Sequence, residues 1–241
     1  MNDDQLWWYA NSGAIAPNGD VYFALDGEAS LSGHGHDFDG SAKVALLRCS
    51  PSPTTSCGNP TLTSFGESPP PPPPCPVPGC YPDYFAATGA IAIDGTGHMV
   101  FAYTISLAPN RPKSLYVLTS DDGVNWSAPI LVNNKGDSSV PQIDSGPSPG
   151  DFRLAWQDDR TGRFNTWYAR SVDGGTTWGS QVRLSNLGSG APYKRPAGYT
   201  FTDGDYFGIA VSSTGIAHVV WGEADGSSPY CCGDVWYTKG S

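Results

Sequence analysis

The chain has 241 residues and a net charge of −10; only 15% of residues are charged, 12% are aromatic, and there are 30 Gly and 22 Pro. The acidic balance argues against nucleic-acid and anionic-membrane partners, and no apolar run reaches the ~20 residues that span a bilayer as a helix. Apolar residues nowhere recur at helical spacing, so almost no helix is expected, and the turn formers and aromatics suit many short strands.

The chain opens on an aromatic run, 6–12, that ends in small polar residues. Runs 44–50, 115–120, 166–171 and 235–241 have the same character, as a strand entering a turn should. Tight hairpins lie between them: 13–19 with 21–24, 89–95 with 99–102, 141–144 with 152–156, and 208–211 with 217–221. Short apolar segments at 130–132 and 181–184 supply fourth strands for the two middle units. Four strands per unit, returning every ~50–70 residues, is the pattern of propeller blades. The first run then reads as a third strand, so the chain is expected to begin and end on the same strand of a unit.

Two corners carry a motif. Ser171-Val172-Asp173-Gly174-Gly175-Thr176-Thr177-Trp178 has an Asp to accept the turn's N–H groups, a Gly for the turn, and a Trp to bury beside it. A looser copy, Thr119-Ser120-Asp121-Asp122-Gly123-Val124-Asn125-Trp126, aligns Thr119, Asp121, Gly123 and Trp126 with Ser171, Asp173, Gly175 and Trp178, and has Asn125 in place of Thr177. The first unit has no such corner; there Cys49 and Cys57 bracket the turn and a disulfide is expected to clamp it.

The corner motif resembles the Asp-box, or BNR repeat, of sialidase-like β-propellers. The resemblance implies an all-β propeller of four-stranded antiparallel blades, with the box between the third and fourth strands and facing away from the active site. It implies that residues 1–241 are a single propeller domain, part of a six- or seven-bladed propeller lacking its first blades. The alternative is a closed four-bladed ring in which 6–10 completes the last blade. The family's site has three arginines that grip the sialic acid carboxylate, an Asp acid/base, and a Tyr nucleophile activated by a Glu. The early F/Y-R-I-P motif that carries the first arginine is absent; the nearest string, Tyr193-Lys194-Arg195-Pro196, makes Arg195 a ligand-binding candidate.

Asp203, Asp205 and Tyr206 lead into the innermost strand of the last unit, where a propeller presents its axial cleft, and suit glycan recognition or acid/base chemistry. The competing reading has the carboxylates capping a turn and Tyr206 packed between blades. Asp158, Asp159 and Arg160 end an apolar strand; they can bind a ligand or form a solvated hairpin corner with a surface ion pair. Glu223 occupies a comparable strand end and is a candidate partner for a Tyr. His34, His36, Asp37 and Asp39 offer divalent-ion donors, but their spacing matches no standard site and suits an ordinary turn, so neither metal nor cofactor is expected.

Six cysteines without metal-ligand spacing point to an oxidising, extracellular compartment. Cys75 and Cys80 form a second close pair, inside a proline-rich surface insertion, 66–84, that reads as a stiff spacer or a ligand for a proline-recognising module; Cys231 and Cys232 are adjacent. No leader follows Met1 directly, so a signal is expected upstream. The functional expectation is a secreted, non-catalytic propeller binding a carbohydrate or glycoprotein ligand, with no nucleic acid and no membrane insertion. An exo-sialidase or related glycoside hydrolase, and a scaffold module of a larger extracellular protein, are the alternatives.

Overall fold

The structure is a computed structural model that describes residues 6–29, 41–52, 56–69, 87–108, 111–185, 190–191, 194–195, 198–199, 206–224 and 233–240. Among these there is no helix, in keeping with the sequence. Three antiparallel sheets have four strands in simple chain order. Blade 1 holds β1 (Trp7–Ile15), β2 (Val21–Glu28), β3 (Ala42–Ser50) and β4 (Gly58–Ser68). Blade 2 holds β5 (Thr88–Ile93), β6 (Met99–Ile105), β7 (Ser114–Ser120) and β8 (Ile130–Asn133). Blade 3 holds β9 (Ser138–Ser145), β10 (Phe152–Asp158), β11 (Asn165–Ser171) and β12 (Val182–Arg183). A small hairpin, β13 (Lys194–Arg195) with β14 (Gly198–Tyr199), precedes blade 4, whose described strands are β15 (Phe207–Val211), β16 (Ala217–Ala224) and β17 (Gly233–Gly240). This is the blade architecture of a β-propeller.

Side chains alternate across each strand, so both faces of an inner blade are covered by neighbours. Tyr22, Ala24, Val44 and Leu46 of blade 1 meet Ile91, Phe101, Tyr103 and Ile105 of blade 2. The other face of blade 2, with Ala90, Val100, Ala102 and Val117, meets Ile143, Phe152, Leu154 and Trp156 of blade 3. Ala155 continues the series against Val219 and Trp221 of blade 4.

The first strands of successive blades lie side by side around a common axis and are bonded laterally. Ser12 Oγ accepts the Ile91 N–H at 2.9 Å and Thr88 Oγ1 accepts the Val140 N–H at 3.1 Å. Ser145 Oγ donates to the Ile93 carbonyl at 3.0 Å, and Asp144 Oδ2 accepts the Val211 N–H at 2.7 Å. These bonds satisfy polar groups that the core would otherwise strand.

Three boundaries differ from the sequence reading. Residues 7–12 are not a third strand: they pair with β2 from Trp7↔Glu28 to Ser12↔Ala24 and belong to the first strand of blade 1. The aromatic character that suggested a third strand is equally that of any covered strand. Residues 6–10 therefore do not complete the last blade, and no pairing joins β17 to β1 among the described residues. Finally, β4 runs to Ser68, so 66–68 belong to a strand rather than to the proline-rich segment. Cys49 and Cys57 form the expected disulfide beside the β3–β4 turn; Cys75, Cys80, Cys231 and Cys232 lie outside the described residues.

Candidate functional site

The alternation of strand directions sorts the loops onto two ends of the blades. The β5–β6 and β9–β10 turns share one end with the β7–β8 and β11–β12 corners. At the other end lie the starts of β1, β5, β9 and β15 and the finishes of β2, β6, β10 and β16.

The first of these is a clasp face. In the corner at 171–178, Asp173 accepts the Thr177 N–H at 2.9 Å and the Thr177 hydroxyl at 2.6 Å, while Ser171 Oγ accepts the Gly175 N–H at 2.9 Å. These bonds hold Asp173 below its usual carboxylate range. Trp178 packs on the core between blades 2 and 3. In the corner at 119–126 the same bonds fall on other residues than the spacing suggested. Ser120 Oγ accepts the Gly123 N–H at 2.9 Å, and Asp122 accepts the Asn125 N–H at 2.7 Å and its Nδ2 at 2.8 Å. The anchor is Asp122, not Asp121, and the serine position is Ser120, not Thr119. The cause is length: this corner is one residue shorter between its serine and its Trp. Asp121 is released to the surface, where it meets His98.

The axial mouth lies at the opposite end. Counting from each β-hairpin turn, Leu25, Tyr103, Trp156 and Trp221 are equivalent, as are Asp26, Thr104, Gln157 and Gly222. The next equivalent set is Gly27, Ile105, Asp158 and Glu223. Two of these sites repeat one device. Trp156 Nε1 donates to Asp158 at 2.7 Å, and Trp221 Nε1 donates to Glu223 at 2.8 Å. Each carboxylate also takes a bond from the preceding blade, Asp158 from Asn133 Nδ2 at 3.1 Å and Glu223 from Asn165 Nδ2 at 3.2 Å.

Asp158 and Arg160 are thus committed to each other. Arg160 Nη2 lies 2.6 Å from Asp158, its Nη1 donates to Gln181 at 2.6 Å, and its guanidinium sits 3.9 Å from the centre of the Trp167 ring. Asp158 is fully buried. This is not a solvated corner with a surface ion pair: blade 2, the preceding blade, covers this strand end through Asn133, which no local pattern announces. Asp159 accepts the Asp137 N–H at 2.6 Å, and Asp137 in turn pairs with buried Lys113 at 3.0 Å. Glu223 is also buried; burial raises its pKa, against the pull of its bonds from Trp221, Ser185 and Asn165, which are its partners among the described residues.

Asp26 is a further acid at this end, one that no sequence motif marks. It stands where the other blades have Thr104, Gln157 and Gly222, and it is buried against blade 2. Burial pushes its pKa up to about 7, although Asn11 Nδ2 donates to its carboxylate. Asn11 is the extra residue of a β-bulge between Ala10 and Ser12, on the axial strand. Tyr9 pairs with Asp26 across the strands, and Trp7 with Glu28. The Tyr9 hydroxyl is raised by its burial, then by the charges of Glu28 and Asp26. A second irregularity, at Val140 with φ 45°, lies at the corresponding level of β9. The available signal for Asp26 was an acid directly following the apolar run 21–25.

Tyr206 is 80% exposed just ahead of β15. Arg195 lies in β13 and pairs with Gly198. Asp203 and Asp205, and the loop with His34, His36, Asp37 and Asp39, lie outside the described residues. Among the described residues no group of three or more side chains is placed to hold a metal ion, and no helix is long and apolar enough to cross a membrane.

No family model and no curated protein matches the sequence. Solved structures do match. An α-L-arabinofuranosidase from Fusarium graminearum, determined with an iminosugar inhibitor, is 12% identical with a TM-score of 0.51, over 98% of this chain and 62% of that one. A Trypanosoma rangeli sialidase is 14% identical with a TM-score of 0.49, over 97% of this chain and 37% of that one. A Dyadobacter fermentans protein of unknown function is 18% identical with a TM-score of 0.48, over 88% of this chain and 56% of that one. The chain spans about three fifths of the arabinofuranosidase. At these identities the likeness to the arabinofuranosidase shows the fold alone.

Proposed function

We propose that this chain is the ligand-binding part of a glycosidase-like propeller and that it takes a carbohydrate at the axial mouth. The observation that supports this most directly is the contrast between the two ends of the blades. The corner end is closed on itself by short hydrogen bonds. The axial end gathers Tyr9, Asn11, Asp26 and Glu28 on blade 1 and presents exposed Tyr206 at the start of blade 4. Aromatic faces and oriented polar groups at a propeller mouth are the chemistry that recognises sugars. Asp203, Asp205 and Arg195 extend this proposed site from the segments that lead into β15. Asp158, Arg160 and Glu223 serve it as blade-to-blade supports.

A glycoside hydrolase is the second reading, and one observation favours it. A general acid works best with a pKa near the operating pH, and burial sets Asp26 at about 7. The disulfide-clamped corner and the glycan chemistry suit an extracellular setting.

The experiment is a glycan array followed by titration calorimetry with the best ligand, alongside fluorogenic sialoside and arabinofuranoside substrates. Binding that weakens at least tenfold in Tyr206→Ala supports the axial site. Turnover that is lost in Asp26→Asn while binding is kept supports catalysis. No ligand on the array and no turnover of either substrate would falsify both readings.

A further inference from the structure

Away from the axial mouth, one side chain bridges two corners. His98 closes the β5–β6 turn, and both of its ring nitrogens meet acceptors. Nδ1 lies 2.6 Å from Asp121 Oδ1, on the β7–β8 corner of the same blade. Nε2 lies 2.9 Å from the Gly174 carbonyl, on the β11–β12 corner of blade 3. We propose that His98, in its protonated form, is a pH-sensitive staple that locks the corner of blade 2 to the corner of blade 3.

The number of donors the ring must supply fixes its protonation state. A carbonyl oxygen only accepts, so Nε2 must carry a proton. An ionised carboxylate also only accepts, so Nδ1 must carry one as well. Only the imidazolium has both. The neutral ring would turn a nitrogen lone pair toward Asp121 and lose one arm of the bridge.

The local sequence is built for this contact. Gly174 is the residue by which the second corner exceeds the first, and it has a φ of +72°. A Cβ there would stand 2.8 Å from His98 Nε2, so a larger residue would push the ring away. The shorter first corner shifts its anchor to Asp122 and leaves Asp121 free to face His98. Both ends of the bridge therefore come from the difference in length between two otherwise similar corners.

The charges around the ring favour the cation. Asp94, on the β5–β6 turn itself, accepts the His98 N–H at 3.1 Å and the Gly150 N–H of the β9–β10 turn at 2.8 Å. Asp122 and Asp173 are engaged within their own corners. Asp151, on the β9–β10 turn, is paired with Arg153 and Arg170. The Phe152 ring stands at 60° to the His98 ring, with the ring centres 6.0 Å apart. Burial pulls the His98 pKa down, but Asp121, the Gly174 carbonyl and the charge of Asp94 outweigh it, and the net shift is upward from 6.5. The sign follows: the staple is fully formed below the unfolded-state value of 6.5 and opens as the pH rises through the higher folded-state value.

The test follows the imidazole carbon-bound proton signals of the full chain by NMR, with His98 assigned from its absence in His98→Gln. The expected result is a His98 midpoint above 6.5 that falls by roughly half a pH unit or more in Asp121→Asn, whose exposed site makes misfolding no concern. Thermal melting from about pH 5.5 to about pH 8.5 should show a larger loss of Tm in the wild type than in His98→Gln. A midpoint unmoved by Asp121→Asn, or equal losses of Tm in the two proteins, overturns the proposal. Neither measurement depends on whether the axial mouth binds a glycan.

Discussion

Replacing Asp158 by Ala removes the acceptor on which three buried donors converge. Arg160 reaches it through Nε at 2.8 Å and Nη2 at 2.6 Å, Trp156 through its indole N–H at 2.7 Å, and Asn133 through its amide at 3.1 Å. The Arg160 side chain is 11% exposed and Asp158 is not exposed at all, so little water is at hand to take over. Deleting one partner of such a pair costs ~3–5 kcal/mol, because the other charge stays buried without compensation. For a domain of this size that corresponds to a Tm lower by on the order of 10 °C. The assay is urea unfolding followed by Trp fluorescence for Asp158→Ala, Arg160→Met and the double variant. Direct contact predicts a coupling energy of about 1–3 kcal/mol, since the double variant no longer strands the guanidinium. A loss below ~1 kcal/mol with no coupling is what a solvated surface pair gives, and would refute the buried bridge.

Further outcomes can be measured on the same protein. Asp26 has its pKa raised to about 7 from 3.8 by burial, so the folded state holds a proton that the unfolded state has released, and stability falls as the pH rises between those values; Asp26→Asn should flatten that fall in a series of melts. In melts run at a pH above the His98 transition, Asp122→Ala should lower the Tm and Asp121→Ala should leave it nearly unchanged, because only Asp122 binds the corner backbone; the opposite ranking would restore Asp121 as the anchor. Reducing the Cys49–Cys57 bridge, which spans a sequence separation of 8, should cost about 2.5 kcal/mol by loop-closure entropy, read as a lower urea midpoint on adding reductant.

The strand count per unit, the hairpins and the corner motifs could be read in the residues because each is a local matter. A hairpin needs its own turn residues and its own alternation, and Asp173 satisfies its corner with atoms only a few positions away. The disulfide beside the β3–β4 turn was legible for the same reason. The misplaced anchor at Asp121 shows the limit of even local reading. Ser120-Asp121-Asp122-Gly123 holds two candidate acids, and alignment to the longer corner chose the wrong one. Hydrogen-bond geometry distinguishes them at once, since only Asp122 reaches the Asn125 N–H.

The candidate site was less legible. Asp158 and Arg160 had the composition of a surface corner, yet they are held by Asn133 of β8 and by Gln181 just ahead of β12. Asp26 had no motif around it; its significance comes from being buried by blade 2 at a position where the equivalent residues are uncharged.

By itself the sequence determined an all-β chain of repeated hairpins, with corners that close without outside help, because alternation, turn chemistry and self-capping depend on neighbours in the chain. Only the tertiary structure decided which strand ends are covered, which acids are thereby pushed toward neutrality, and that His98 spans two blades. Burial and inter-blade hydrogen bonds depend on surfaces brought together from distant parts of the chain, and a carboxylate carries no mark in its own sequence of the blade that will cover it.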